Sequence, residues 1–243
     1  MKDPGQVFLT AEWRYLAMLN YAVDPALLAP RVPRGTALDQ FEGRTYVSLV
    51  GFRFLSTRVF GIPVPFHRNF DEVNLRFYVQ RRESGGVKRG VVFIQELVPR
   101  RAIAAVARLA YHENYRSLPM THQIEESGAG LSVQYAWRHE ERANSLSVLA
   151  TGSPRRMVEG CEEQFIAEHY WGYRRQPDNS TLEYHVDHPP WRVWQVTQAQ
   201  FSGDAGVLYG AEFGSVLTRS PDSAVLAEGS PVKVHVGRRL DLL

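Results

Sequence analysis

From Val73 to Gln80 the chain alternates without a break, with Val73, Leu75, Phe77 and Val79 interleaved with Asn74, Arg76, Tyr78 and Gln80. A period of two belongs to the β-strand, so this stretch is predicted to be a strand with two unlike faces. Ser84-Gly85-Gly86 supplies a turn, and Val91 to Leu97 follows as a nearly continuous apolar run. Together these segments predict a hairpin.

Most other segments are also β-like. Thr45 to Phe54 is rich in β-branched and aromatic residues, while Phe60-Gly-Ile-Pro-Val-Pro-Phe66 is too proline-rich for a helix. Two strands are expected around Gly128-Ala129-Gly130, with Val133, Tyr135 and Trp137 on one face. Three more are expected at Leu182 to Val186, at Arg192 to Gln198, and around Val232, Val234 and Val236. Trp13 to Tyr21 is dense in apolar and aromatic residues and precedes Asp24-Pro25. Helical spacing occurs over Arg100 to Tyr111, where Ile103, Val106, Ala107 and Ala110 share a side, and over Glu162 to Tyr173. Asp24 is placed to cap a short helix that begins at Pro25. No repeat or linker interrupts the pattern. The fold class expected is α+β, mainly β: one domain over residues 1–243, with a curved or closed antiparallel barrel-like sheet and two or three helices.

Composition excludes several functions. No stretch approaches the roughly 20 apolar residues of a membrane-spanning helix, and Met1 to Gln6 are not followed by an apolar signal core, so a cytoplasmic location is expected. The net charge is +2, with arginine doublets spread along the whole chain, which argues against a nucleic-acid footprint. Cys161 is the single cysteine, so no internal disulfide can form, and it is read as a small buried hydrophobe rather than a nucleophile. His185-Val-Asp-His188 places His185 and Asp187 on one strand face and His188 on the other, so no metal is expected there. Neither a Gly-x-Ser-x-Gly elbow nor a glycine-rich phosphate loop is present, and no cofactor is expected.

Three segments are more specific: Phe70-Asp-Glu-Val-Asn-Leu-Arg-Phe-Tyr-Val79, Gly90-Val-Val-Phe-Ile-Gln-Glu96 and Ala107-Arg-Leu-Ala-Tyr-His-Glu-Asn-Tyr-Arg116. With His169-Tyr-Trp-Gly-Tyr173 and His188-Pro-Pro-Trp191, they resemble the YqjF-like proteins, an uncharacterised bacterial family grouped with acetoacetate decarboxylases. The resemblance implies a double-layered β-barrel around a shielded cavity, with Glu72 at the place of a glutamate that points inward. It also implies that Tyr115 stands where the decarboxylases carry an imine-forming lysine, and Arg116 where they carry its cationic neighbour. A phenol forms no imine and arginine is a poor amine nucleophile, so the decarboxylase mechanism does not transfer. Of the other amines, Lys88 lies in a glycine-rich turn and is expected in solvent. Lys233 shares a strand face with His235, opposite Val232, Val234 and Val236, and is also expected to face water.

The candidate site residues are Glu72, Asn74, Arg76, Tyr111, His112, Tyr115 and Arg116. On pattern alone, the Glu72, Asn74, Arg76 and Tyr78 face is either a cavity wall or a solvent-facing edge of paired charges; the resemblance favours the cavity for Glu72. Tyr111, His112, Tyr115 and Arg116 are expected at the end of the first helix, where His112 would be either a proton-transfer group or a helix cap. Two functions follow. One is a small-molecule-binding protein, as a binder or as an enzyme on a small carboxylate or ketone, in a homo-oligomer or alone. The other is a non-catalytic interaction module whose barrel is filled by its own side chains.

Overall fold

A computed structural model of the chain describes residues 5–99 and 114–240. The expected helix over Arg100 to Tyr111 lies outside the described residues. In chain order the strands are β1 (Val7–Val23), β2 (Ala37–Leu38), β3 (Thr45–Val59), β4 (Ile62–Pro63), β5 (Phe70–Glu83), β6 (Gly86–Val98), β7 (Tyr115–Ser117) and β8 (Met120–Ser127). They continue with β9 (Gly130–His139), β10 (Arg142–Arg156), β11 (Trp171–Arg175), β12 (Thr181–Asp187), β13 (Arg192–Ser202), β14 (Ser223–His235) and β15 (Arg238–Arg239). Among the described residues the α-helical segments are α1 (Pro25–Leu28), α2 (Glu162–Ala167), α3 (Ala205–Tyr209) and α4 (Ala211–Leu217). Asp24 caps α1 as expected, its Oδ1 accepting from the Ala26 amide at 2.8 Å with Pro25 opening the helix.

One mixed sheet joins all the strands, and its backbone order is β15-β12-β11-β6-β5-β3-β1-β14-β13-β10-β9-β8. An added pairing of β12 with β14, through Val186 and Val234, turns the path from β12 to β14 into a ring. The sheet is not purely antiparallel: β6 runs parallel to both β11 and β7. The strands beyond β14 fold back over the ring as a second layer.

The alternation on β5 sorts its residues between two cores. Val73, Leu75, Phe77 and Val79 pack with Val133, Tyr135, Trp137 and Leu146 of the outer layer and with α3 and α4. Phe70 and Tyr78 join the other core, which contains Phe52, Phe54, Val91 and the α2 residues Phe165 and Ile166. Gly51 marks how tightly the layers meet: a Cβ there would lie 2.6 Å from the Tyr135 ring and 2.8 Å from Leu146. Side chains this close leave no room for even a methyl group.

Several expectations need correction. The second helix stops at Ala167, not Tyr173, because Trp171 to Arg175 instead pair with β12 and Trp171–Gly172 with β6; aromatic residues there satisfy the sheet better than one more helical turn. Tyr115 and Arg116 lie on β7 rather than at a helix end. Trp13 to Tyr21 is the centre of β1, and its period is hidden by register shifts around Arg14 to Ala17, where Tyr15 has φ of 55°. Val236 is exposed while His235 is buried, so the last apolar stripe ends at Val234. Cys161 is half-buried at the N-cap of α2, its Sγ accepting from the Gln164 amide.

A candidate small-molecule site inside the ring

The inward face of β5 opens onto a cavity of about 180 Å³ whose wall is mainly apolar and aromatic. Glu72, Asn74 and Arg76 all line it, as the period of two requires of alternate positions on one strand. Tyr78 is also buried on that side, where its hydroxyl meets Ser48 Oγ at 2.6 Å.

Beside β5 in the ring, β6 contributes Val91, Phe93 and Glu96, the last two of which are three residues apart. A one-residue bulge makes this possible. Arg76 pairs with Phe93 but Leu75 pairs with Gln95, leaving Ile94 as the extra residue. The bulge turns Glu96 rather than Gln95 toward the Asn74 side. Glu96 in turn pairs with Tyr115 on β7. Asn74, Glu96 and Tyr115 therefore form one row across three neighbouring strands, with Glu72 two residues further along β5.

Glu72 is 2% exposed, and both its oxygens are bonded: Asn74 Nδ2 donates to Oε1 at 3.0 Å and Tyr115 Oη donates to Oε2 at 3.1 Å. Burial pushes its carboxyl up to about 7, against the pull of those two donors and of the Arg76 guanidinium. The Tyr115 phenol is driven well above its ordinary value by burial and then by the negative charges of Glu72 and Glu96, so it remains a hydrogen-bond donor at neutral pH. Arg76 donates through Nη2 to the Ile166 carbonyl at 3.3 Å, and its Nε is buried without a partner.

Beside Thr57 and the half-buried His67, the lining includes two buried histidines. His169 follows α2, stacks at 4.6 Å on the Tyr78 ring, and has Nε2 3.8 Å from Asp39 Oδ2. Burial pulls its pKa down to about 4; Asp39 opposes the shift, while Arg89 and Arg76 reinforce it. His188 stacks on Trp191 at 4.3 Å, and the two prolines between them make this a rigid aromatic corner. Among the described residues no three His, Cys, Asp or Glu side chains converge as a metal-holding group.

Of the residues singled out from sequence, the structure brings together Glu72, Asn74, Arg76 and Tyr115. Arg116 points away from the cavity: it is exposed, with Nη1 3.1 Å from His139 Nε2, because neighbouring residues of β7 face opposite sides. Tyr111 and His112 lie outside the described residues. Lys88 is not solvated as expected; its side chain is 17% exposed, with Nζ 2.9 Å from Glu183 Oε1 and 3.8 Å from the centre of the Trp171 ring. Lys233 is exposed, as expected. Glu96 and His169 are the additions that sequence reasoning missed. A bulge hides the first from any period count, and the second sits in a segment whose spacing fits a helix.

A ring of strands backed by a second layer and enclosing a polar cluster defines an acetoacetate decarboxylase-like fold. The acetoacetate decarboxylase of Legionella pneumophila matches it with a TM-score of 0.69 at 12% identity, over 97% of this chain and 88% of that one. The enduracididine biosynthesis enzyme MppR complexed with pyruvate matches with a TM-score of 0.67 at 12% identity, over 97% of this chain and 90% of that one. An acetoacetate decarboxylase-like enzyme from Sphingomonas wittichii RW1 matches with a TM-score of 0.64 at 13% identity, over 99% and 96%. Within this fold the chain belongs to the DUF2071 family of uncharacterized conserved proteins, whose profile matches residues 10–231. The protein YqjF of Bacillus subtilis (strain 168) is 25% identical over 192 residues, covering 78% of this chain and 76% of YqjF.

Proposed function

We propose that this protein binds a small carboxylate or ketone in the ring cavity, with the ligand lying between the Glu72–Asn74–Tyr115 cluster and the Arg76 guanidinium. The observation that carries this reading is the set of buried polar groups converging on one hollow in an otherwise apolar wall, the usual makeup of a metabolite site. Arg76 supplies a planar cation suited to a carboxylate, and its buried Nε lacks a protein partner. A structural neighbour is described as complexed with pyruvate, a compound carrying both groups. The open cavity opposes the alternative of a module packed solid with its own side chains.

Thermal unfolding against a panel of short carboxylates, ketones and oxo acids tests the proposal. A ligand at 100 times its Kd adds about 2.7 kcal/mol, which corresponds to roughly 5–10 °C for a chain of this length. Arg76→Met should abolish the shift for carboxylates while leaving a folded protein. A panel that moves nothing, or a carboxylate shift that survives Arg76→Met, refutes it.

A further inference from the structure

We infer, resting on that reading, that Glu72 is a catalytic base which removes a proton from the carbon beside a bound ligand's carbonyl, and that the Tyr115 phenol relays this proton to Glu96. The relay follows from placement. Tyr115 Oη donates to Glu72 Oε2 at 3.1 Å, and Glu96, which lines the same cavity and raises the proton affinity of the phenol, pairs with Tyr115 across β6 and β7. Glu72 and Glu96 are each 2% exposed. One hydroxyl proton thus stands between two buried carboxyl groups. When Glu72 gains a proton it becomes the donor to the phenol oxygen, and the phenol turns its own proton toward Glu96.

A second observation points to a ligand at this spot. Asn74 is 1% exposed, with Nδ2 committed to Glu72 but Oδ1 buried without a partner. A buried amide oxygen left unsatisfied marks a position where a bound molecule completes the hydrogen bonding. Arg76, further along the same strand face, acts electrostatically on Glu72 and is the cation available to developing negative charge.

The chemistry balances without an amine or a redox partner. The ligand C–H bond breaks and an O–H bond forms on Glu72. The electron pair becomes the enolate C=C bond, and the carbonyl oxygen takes the charge, facing Arg76. Return of a proton to the same carbon gives exchange with solvent; delivery to another position gives an isomer. A carboxyl whose proton affinity lies near neutrality works in both directions.

The test is proton NMR of pyruvate, 2-oxobutanoate and levulinate in D2O with the full-length protein, recording saturation transfer for binding and loss of α-proton signal for exchange. Exchange on the order of 100-fold or more above the buffer rate is expected for at least one probe. Glu72→Gln should return exchange to the buffer rate while saturation transfer persists. Tyr115→Phe should slow exchange and move the rising limb of its pH profile upward, because a hydrogen bond to the Glu72 anion is lost. Binding without accelerated exchange, exchange that survives Glu72→Gln, or exchange accompanied by a borohydride-trapped lysine overturns the inference alone. No saturation transfer from any probe removes the binding reading and this inference together.

Discussion

Glu72 and His169 line one cavity, and burial moves their proton equilibria in opposite directions, the carboxyl up to about 7 and the imidazole down to about 4. Both are pressed toward their neutral forms by the same loss of water. Arg76 acts on each, favouring the anion of Glu72 and disfavouring the cation of His169.

For Glu72 the native state holds its proton more tightly than the unfolded chain does. Its contribution to stability is therefore full below the ordinary carboxyl value of 4.5 and is lost as pH rises through about 7. A shift of this size corresponds to roughly 3–4 kcal/mol. Glu72→Gln, which cannot ionise, should match the parent at pH 4.5 and become more stable than it by pH 8. Urea unfolding across that range measures the difference, and an advantage that does not grow with pH would show that Glu72 ionises normally.

The fold was legible from sequence wherever a face was regular. The strand carrying Val73 to Val79 announces itself because buried and cavity-facing residues alternate without a bulge, and this placed Glu72, Asn74 and Arg76 on one side. The resemblance to decarboxylase relatives supplied the reason to regard that side as a hollow. Where the backbone breaks its period, the pattern fails. The shift near Tyr15 concealed β1, the bulge at Ile94 concealed Glu96, and the sheet pairing of Trp171 and Gly172 outweighed a helical spacing that runs through His169. Arg116 was misassigned because a motif gives order along the chain, whereas the side of the strand is set by pairing.

For His169 the sign is reversed. The native state binds its proton less tightly, so the stability it contributes is present above the ordinary imidazole value of 6.5 and is lost as pH falls toward 4. Between about pH 4.5 and 6.5 the slopes of Glu72 and His169 oppose each other in the parent protein. Half-buried His185 and buried His188, whose proton affinities are also lowered, add to the rising slope in this window, so the readout is the change from the parent. His169→Gln should make the slope of stability against pH more negative than the parent's, and Glu72→Gln should make it more positive. Changes of the same sign in the two variants would contradict the assignment.

Gly172 offers a test of the wall itself. It pairs with Tyr184 on β12 and with Val91 on β6, and a Cβ added there would fall on the Tyr184 ring. Tyr184 and Val91 both line the cavity. Gly172→Ala should cost about 1–3 kcal/mol by displacing an aromatic ring in a packed wall, and should weaken any ligand-induced thermal shift as well. Unchanged urea stability would mean that Tyr184 does not rest against Gly172.

Among the described residues no lysine lines the cavity. The chain has three lysines: Lys2, outside the described residues, Lys88 and Lys233. Lys233 is exposed and lies opposite Thr10 and Asp187 in the sheet. Lys88 is bound to Glu83 and Glu183. The Glu183 side chain is fully buried and also receives Arg81 and Arg238. Paired with two carboxylates and absent from the cavity lining, Lys88 is not presented to a carbonyl bound there. Borohydride reduction in the presence of pyruvate or acetoacetate should therefore leave the protein mass unchanged. Lys88→Arg, which preserves the charge facing Glu183, should keep the ligand-induced thermal shift. A reduced adduct mapped to Lys88 or Lys233 would restore imine chemistry to this protein and displace Glu72 from the role assigned to it.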